Sequence, residues 1–336
     1  MDRRHFNKQL LTVGAAYSIY PQYSTFMNEI TKMNQLKPGD TVGLIAPSGP
    51  LKDDRFEKAF QTMERFGLVV KYSENIYKKY GYLAGTDEER LADIHAMYSD
   101  KSVKAIWCLR GGYGTARLLD DLDYKHIKAN PKPIIGYSDI TALLLAIYQK
   151  TGQQGFHANI AASDYTDFTF KHTYEMLMGE RKEFIFEADT QEDKGIVYEP
   201  YTITPGIAEG PLIGGNLTLL ASMVGTKYNP KYKNKIVFIE DVGEKPYRVD
   251  RMLVQMLQGT DLAKAAGIVF GHFVDCNGED EAFTFTLRET LTKLIQPLKI
   301  PAYYGAPFGH RKDIAPIPIG GNGSIDAQKM QLMIAI

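Results

Sequence analysis

The pentapeptide Gly136-Tyr137-Ser138-Asp139-Ile140 joins an apolar run, Lys132-Pro133-Ile134-Ile135, to a segment whose Ile140, Leu143, Leu144 and Ile147 recur at the spacing of one helical face. That pattern predicts a strand, a tight turn and a helix, with Ser138 in the turn. A hydroxyl placed there stands beside backbone N–H groups that have no helical partner, at the positive end of a helix dipole. In such surroundings a serine can attack a carbonyl while the same N–H groups hold the oxyanion. The chemistry indicated is acyl transfer through a serine nucleophile.

A serine hydroxyl is a weak nucleophile at neutral pH and needs a base, usually a histidine that is itself oriented by an acceptor. Of the seven histidines, His5 lies close to the N-terminus, and His95, His126 and His172 fall in or near polar helical segments expected at the surface. His157 follows a turn at residues 152–155, His272 follows an apolar run, and His310 sits in Pro307-Phe308-Gly309-His310-Arg311, a turn-rich loop able to aim a side chain into a cleft. Position alone gives His310 a modest preference. Glu240 follows Ile236-Val237-Phe238-Ile239 and so ends a buried strand. It either orients a base or caps the next helix, and the pattern does not choose. The order Ser, Glu, His also occurs in α/β-hydrolases, but Ile140 stands where their G-x-S-x-G turn has its second glycine, which disfavours a simple esterase.

Arg110-Gly111-Gly112-Tyr113-Gly114 would let backbone approach a reacting carbonyl. The loop lacks the Lys-Ser/Thr of a P-loop and the G-x-G-x-x-G spacing of a dinucleotide fold, so nucleotide binding is disfavoured. There is no H-E-x-x-H, and the acidic stretch Asp275-Cys276-Asn277-Gly278-Glu279-Asp280-Glu281 departs from the calcium-loop pattern, so no metal site is expected. Of the two cysteines, Cys108 lies in the apolar run Ala105-Ile106-Trp107-Cys108-Leu109 and reads as a buried, inert thiol. Neither a disulfide framework nor a zinc-type pair is present.

The elements that must position these residues alternate. Thr41-Val42-Gly43-Leu44-Ile45-Ala46 reads as a strand leading into Pro47-Ser48-Gly49-Pro50, and a helix carrying Phe56, Ala59, Phe60 and Met63 follows. Further strands are expected at residues 68–72 and 104–109, with a helix at 88–98 between them and a helix carrying Leu118 and Leu119 after the Gly-rich loop. Strands alternating with helices predict an α/β fold with a parallel, doubly wound sheet, whose ligands bind at the carboxyl ends of strands. Ser48, residues 111–114 and Ser138 all fall at such ends. Residues 166–209 are polar, lack a clean period, and read as a connection with some local strand structure. Beyond them, a helix bearing Leu217, Leu220 and Val224, a strand at 235–239, a helix bearing Val249, Met252, Leu253, Met256 and Leu257, a strand at 266–270, and a tail of short strands and turns form a second unit, 210–336.

The 336 residues suffice for two domains, and the composition, 44% hydrophobic and 24% charged, is that of a globular protein. A net charge of −1 favours neither nucleic acid nor an anionic membrane as a partner. Residues 1–36 are set apart. Arg3-Arg4-His5-Phe6-Asn7-Lys8 precedes a short apolar stretch, Leu10-Leu11-Thr12-Val13-Gly14-Ala15-Ala16, which resembles a twin-arginine export signal and is too short to span a bilayer. Export is the expectation, with a disordered basic leader and a cytoplasmic location as the alternative.

Several segments in fixed order resemble the serine LD-carboxypeptidases, the muropeptide carboxypeptidase group that also includes the microcin C immunity peptidases. They are Ile45-Ala46-Pro47-Ser48-Gly49, Gly81-Tyr82-Leu83-Ala84-Gly85-Thr86-Asp87-Glu88-Glu89-Arg90, the loop at 110–114, Gly136-Tyr137-Ser138-Asp139, Gly214-Gly215-Asn216-Leu217, Glu240-Asp241-Val242-Gly243-Glu244 with Pro246-Tyr247-Arg248-Val249-Asp250-Arg251, and Gly309-His310. The resemblance implies a Rossmann-like N-terminal domain with a parallel sheet (37–165) and a smaller C-terminal α/β domain carrying Glu and His. It implies Ser138 as nucleophile, His310 as base, Glu240 as orienting acid and the N–H groups of Gly112 and Asp139 as oxyanion hole. It also implies release of terminal D-Ala from a cell-wall tetrapeptide without metal or cofactor. A free terminal carboxylate calls for a cation. Arg110, Arg248 and Arg311 are available, though Arg248 has Asp250 and Glu244 as nearby partners. Ser48 and Asn216 are further substrate-contact candidates. The partner expected is a small peptide, with no nucleic acid and no integral membrane segment; relatives often dimerise, and no stripe here defines such an interface. Two features depart from the family. Typical members are cytoplasmic, and after the nucleophile helix relatives read His-Gly-Pro where this chain has His157-Ala158-Asn159. Three other readings are cleavage of other peptides, cleavage of aminoacyl-nucleotide conjugates, and an exported peptide-binding protein with a vestigial site.

Overall fold

The computed structural model describes residues 35–52, 54–277 and 284–336. The first half alternates as its periodicity predicts: β1 (Thr41–Ile45), α1 (Asp54–Arg65), β2 (Val69–Tyr72), α2 (Asp87–Ser99), β3 (Val103–Cys108), α3 (Tyr124–Ala129), β4 (Ile134–Gly136), α4 (Ile140–Thr151) and β5 (Phe156–His157). β2, β1, β3, β4 and β5 lie side by side and parallel. β3 is buried at every position but Lys104, as expected of a parallel strand covered on both faces.

The helix expected around Leu118 and Leu119 is a single 3₁₀ turn, Thr115–Leu118, with Leu119 just beyond it. The Thr115 N–H donates to Asp139 Oδ2 (2.9 Å) and its hydroxyl to the Asp139 carbonyl (2.5 Å). Tying the first residue to Asp139, at the start of the helix after β4, competes with α-helical continuation.

Residues 166–209 hold more structure than a connection. α5 (Asp167–Leu177) is capped by the Thr166 side chain, and β6 (Glu183–Glu187), β7 (Gln191–Asp193), β8 (Ile196–Tyr198) and β9 (Tyr201–Thr204) follow. β6 and β9 form the two outer edges of the second sheet. The alternation in β6, with Phe184 and Phe186 buried and Ile185 exposed, is that of an edge strand with one dry face.

The second sheet is built from β10 (Ile207–Asn216), α6 (Leu217–Ser222), β11 (Ile236–Val242), α7 (Pro246–Gly259), β12 (Gly267–Val274), α8 (Leu287–Ile295), β13 (Ala302–Gly309), and then β14 (Ile317–Pro318), β15 (Asn322–Asp326) and β16 (Gln331–Ala335). Its order is β6-β16-β15-β10-β11-β12-β13-β9, with β10 to β13 parallel and the flanks antiparallel. β14, which follows the His310 loop, leaves this sheet and pairs antiparallel with β5 of the first, Ile317 opposite His157. The chain that carries His310 is thereby stitched to the sheet that carries Ser138.

α4 shows what joins the two halves. Its sequence displays one apolar face, yet Ile140 through Ile147 are all buried, because α3, β10 and α6 pack on it in addition to β4 and β5. Thr141 Oγ1 accepts the Asn216 N–H across this contact (3.1 Å). Burying a leucine or isoleucine contributes roughly 1.5–3 kcal/mol, so the helix that begins one residue after Asp139 is anchored from both domains. Leu36 is also buried and its N–H bonds to the Leu177 carbonyl (2.9 Å), so the fold includes at least this last residue of the segment set apart as a leader. The residues read as an export signal, and residues 278–281 of the acidic stretch, lie outside the described residues.

Candidate active site

Ser138 has φ +62°, the left-handed region that a residue with a Cβ enters at a cost of about 1–2 kcal/mol. The strand β4 before it and the helix α4 after it hold it there. Gly111 packs directly on it, and a Cβ at that position would stand 3.0 Å from Ser138 Cβ. Asp139 occupies the N-cap of α4 with its side chain turned away from the helix. Its Oδ2 accepts from Ser48 Oγ (2.6 Å) and the Thr115 N–H. Ser48 is fully buried and stands behind Asp139, so its hydroxyl positions this residue and is not presented to a cleft.

Glu240 and His310 arrive from the second sheet. Asn216 pairs with Glu240 across β10 and β11, and His272 with Gly309 across β12 and β13, so all four lie at the carboxyl ends of parallel strands. The ladder shifts register between Ile239 and Asp241, which redirects the side chains there. Glu240 lies within β11, and α7 begins six residues later with Lys245 as its N-cap; the capping role left open by the sequence is not the one it has. Gly309 (φ +102°) leads into His310, and a Cβ there would lie 2.8 Å from Glu240 Cβ, so only glycine brings the imidazole this close to the carboxylate.

The three side chains form one line. Ser138 Oγ lies 3.1 Å from His310 Nε2, and His310 Nδ1 lies 2.7 Å from Glu240 Oε2. Glu240 is fully buried, Ser138 and His310 partly so. Burial alone would push the Glu240 carboxyl up, but the facing His310 and His157 outweigh it and hold it below the usual carboxylate range. Burial pushes His310 down, and the charge and hydrogen bond of Glu240, with Asp241 behind, carry it above an ordinary histidine. The Tyr137 ring packs against His310, centroids 4.8 Å apart, and burial with the Glu240 charge pushes its phenol up to about 12.

The other residues named from sequence are placed as follows. Gly112 (φ +118°) follows Gly111 beside Gly49. Asn216 is buried and engaged at both ends: Oδ1 caps α6 through the Leu219 N–H (3.3 Å) and Nδ2 donates to Asp241 Oδ1 (2.9 Å). Asp241 also accepts from Thr218, and burial with the neighbouring Glu240 charge raises its carboxyl to about 6. Arg110 is exposed and donates to the Pro50 carbonyl (2.6 Å). Arg248 pairs with Glu244 (3.5 Å) rather than Asp250. Arg311 is buried and bonded through both terminal nitrogens to Asp189, with Nη1 also 2.8 Å from His272 Nδ1, so its terminal nitrogens are engaged within the protein. His95, His126 and His172 are half-buried outside the site. Cys108 is buried and its thiol pushed up by desolvation, as expected of an inert group. Tyr137 and Asp241 were not singled out from sequence, although both sit inside the motifs that carry the site.

A nucleophile turn on one α/β sheet and a Glu–His pair on the strand ends of a second define a two-domain serine hydrolase. Residues 42–158 match the LD-carboxypeptidase N-terminal domain and residues 209–325 the LD-carboxypeptidase C-terminal domain, and the chain belongs to this family of peptidases. A Bacillus subtilis protein named probable murein peptide carboxypeptidase is 37% identical over 304 residues, 90% of this chain and 94% of that protein. The crystal structure of muramoyltetrapeptide carboxypeptidase from Oxalobacter formigenes superposes with TM-score 0.76 at 32% identity, covering 88% of this chain and 99% of that one. The structure of MccF in complex with glutamyl sulfamoyl guanosine superposes with TM-score 0.81 at 26% identity, covering 90% and 98%. No helix among the described residues is long and apolar enough to cross a membrane.

Proposed function

We propose that this peptidase releases the terminal D-Ala of murein tetrapeptides through an acyl-enzyme on Ser138. The observation that carries the reading is the Ser138–His310–Glu240 line, at 3.1 and 2.7 Å. His310 accepts the Ser138 proton as the hydroxyl attacks the peptide carbonyl, and Glu240 holds Nδ1–H and stabilises the imidazolium. The oxyanion is held by the N–H groups of Gly112 and Asp139, the latter kept in place by Ser48 and Thr115. His310 then protonates the departing amine, and water hydrolyses the ester. The relatives named for murein peptides support this substrate. A second reading, cleavage of aminoacyl-nucleotide conjugates, is favoured by the MccF complex with glutamyl sulfamoyl guanosine.

Incubation with L-Ala-γ-D-Glu-meso-diaminopimelate-D-Ala, beside an aminoacyl sulfamoyl nucleoside, separates the two. D-Ala release with the conjugate untouched supports the first reading, and the reverse replaces it. We further propose that Arg3-Arg4 and the apolar stretch after them direct export; fractionation of cells expressing the chain and an Arg3→Lys/Arg4→Lys variant tests this, and an equal cytoplasmic signal for both contradicts it.

A further inference from the structure

His157 is fully buried on β5, opposite Gly136 of β4, which precedes the nucleophile by two residues. Its Nε2 stands 3.7 Å from Glu240 Oε1, the carboxylate oxygen that His310 does not use. Neither nitrogen of His157 has a hydrogen-bond partner, nor does Glu240 Oε1. The rest of the chamber is aromatic, with Tyr137, Phe238 and Phe308 ring centroids 6.0, 5.4 and 6.5 Å from the imidazole. A buried carboxylate oxygen without a donor is expensive, and so is a buried imidazole N–H without an acceptor. The two unsatisfied groups face each other across a gap a few tenths of an ångström too long for a hydrogen bond. Hydrogen bonds of catalytic groups are often long in unliganded sites and tighten when substrate binds.

We infer that His157 is a positioning residue: its Nε2–H closes on Glu240 Oε1 and fixes the rotation of the carboxylate, so that Oε2 stays on His310 as the imidazolium forms. This rests on the triad reading above and extends the line to four residues.

The ionisable groups facing this pair are His310, Asp241, Tyr137 and Cys276, all unchanged in the variants proposed. Removing the donor leaves the Glu240 charge more available to His310, so the imidazolium is favoured and His310 becomes neutral only at higher pH.

The test is the rate at which a fluorophosphonate labels Ser138, located by peptide mapping, as a function of pH in the full chain. It needs no knowledge of the natural substrate. His157→Leu should slow labelling about 10- to 100-fold and move the midpoint upward, while His157→Gln, whose amide N–H reaches the place of Nε2, should restore the rate to within about threefold and return the midpoint. A His157→Leu variant with wild-type rate and midpoint, or a His157→Gln no better than His157→Leu, overturns the inference. Should His157→Leu not fold, ¹⁵N-histidine spectra of the wild type decide: a slowly exchanging Nε2–H on His157 supports it, and an unprotonated Nε2 overturns it. A wild type not labelled at Ser138 overturns the triad reading and this inference together, whereas a labelled protein inert toward tetrapeptide changes only the substrate.

Discussion

His310 and His272 stand at the carboxyl ends of neighbouring parallel strands, with His272 in register with Gly309, and their surroundings shift them in opposite directions. His310 faces a buried carboxylate and is raised above 6.5. His272 is buried beside the Arg311 guanidinium, and desolvation with that charge pushes it down to about 4. One imidazole can take a proton from Ser138 and keep it through a transition state. The other is held neutral as an acceptor in a cluster that braces the loop, with Arg311 bidentate on Asp189. Residues 310 and 311 are adjacent in the chain but serve the two clusters separately, so a histidine at a strand end becomes a base through the charge it faces, not through its place in the sheet.

The largest effects that break this contrast fall on the first cluster. Ser138→Ala and His310→Ala should each lower kcat on the order of 10⁴-fold or more with the fold retained by circular dichroism, whereas His272→Gln should stay within about threefold. Glu240→Gln should cost on the order of 10³- to 10⁴-fold, because an amide can leave the imidazole in the wrong tautomer. It should also lower the midpoint of the acid limb of kcat/KM, since the charge that raises His310 is gone. In the wild type that limb should lie above 6.5, activity rising with pH as His310 loses its proton.

The second cluster answers in stability rather than rate. The folded pKa of His272 lies below its unfolded value, so its contribution is present above about 6.5 and is lost as the pH falls toward about 4. Arg311→Met should narrow that window, which an NMR titration of His272 would show as an upward shift. It should lower stability by roughly 1–3 kcal/mol in denaturant unfolding, through lost hydrogen bonds to a half-exposed Asp189. A rate loss comparable to that of Glu240→Gln would mean the two clusters are not separate.

Ser138 was legible because strand, turn and helix are local: a hydrophobic run, a Gly-Tyr-Ser-Asp turn and a 3.6-residue stripe lie within one short segment. His310 and Glu240 were not separable from their competitors on pattern alone. What selects them is sheet register between strands about seventy residues apart, which leaves no mark on either segment, and the family motifs supplied the choice. The all-round burial of α4 was hidden for the same reason, since β10 and α6, far along the chain, also pack on it. Segment 166–209 read as a connection with only some local strand structure because edge strands bury only alternate residues, as Phe184 and Phe186 do. The Thr286–Glu289 capping box that starts α8 was not singled out from sequence, although its residue types and spacing carry the signal.

In the proposed mechanism Ser138 attacks with His310 as its base. The most direct test is kcat/KM for the murein tetrapeptide from about pH 5 to about pH 9, for wild type and Ser138→Ala side by side. The wild type should show an acid limb centred above 6.5, and Ser138→Ala no measurable turnover at any pH. A folded Ser138→Ala that keeps turnover within about tenfold of wild type would contradict that mechanism.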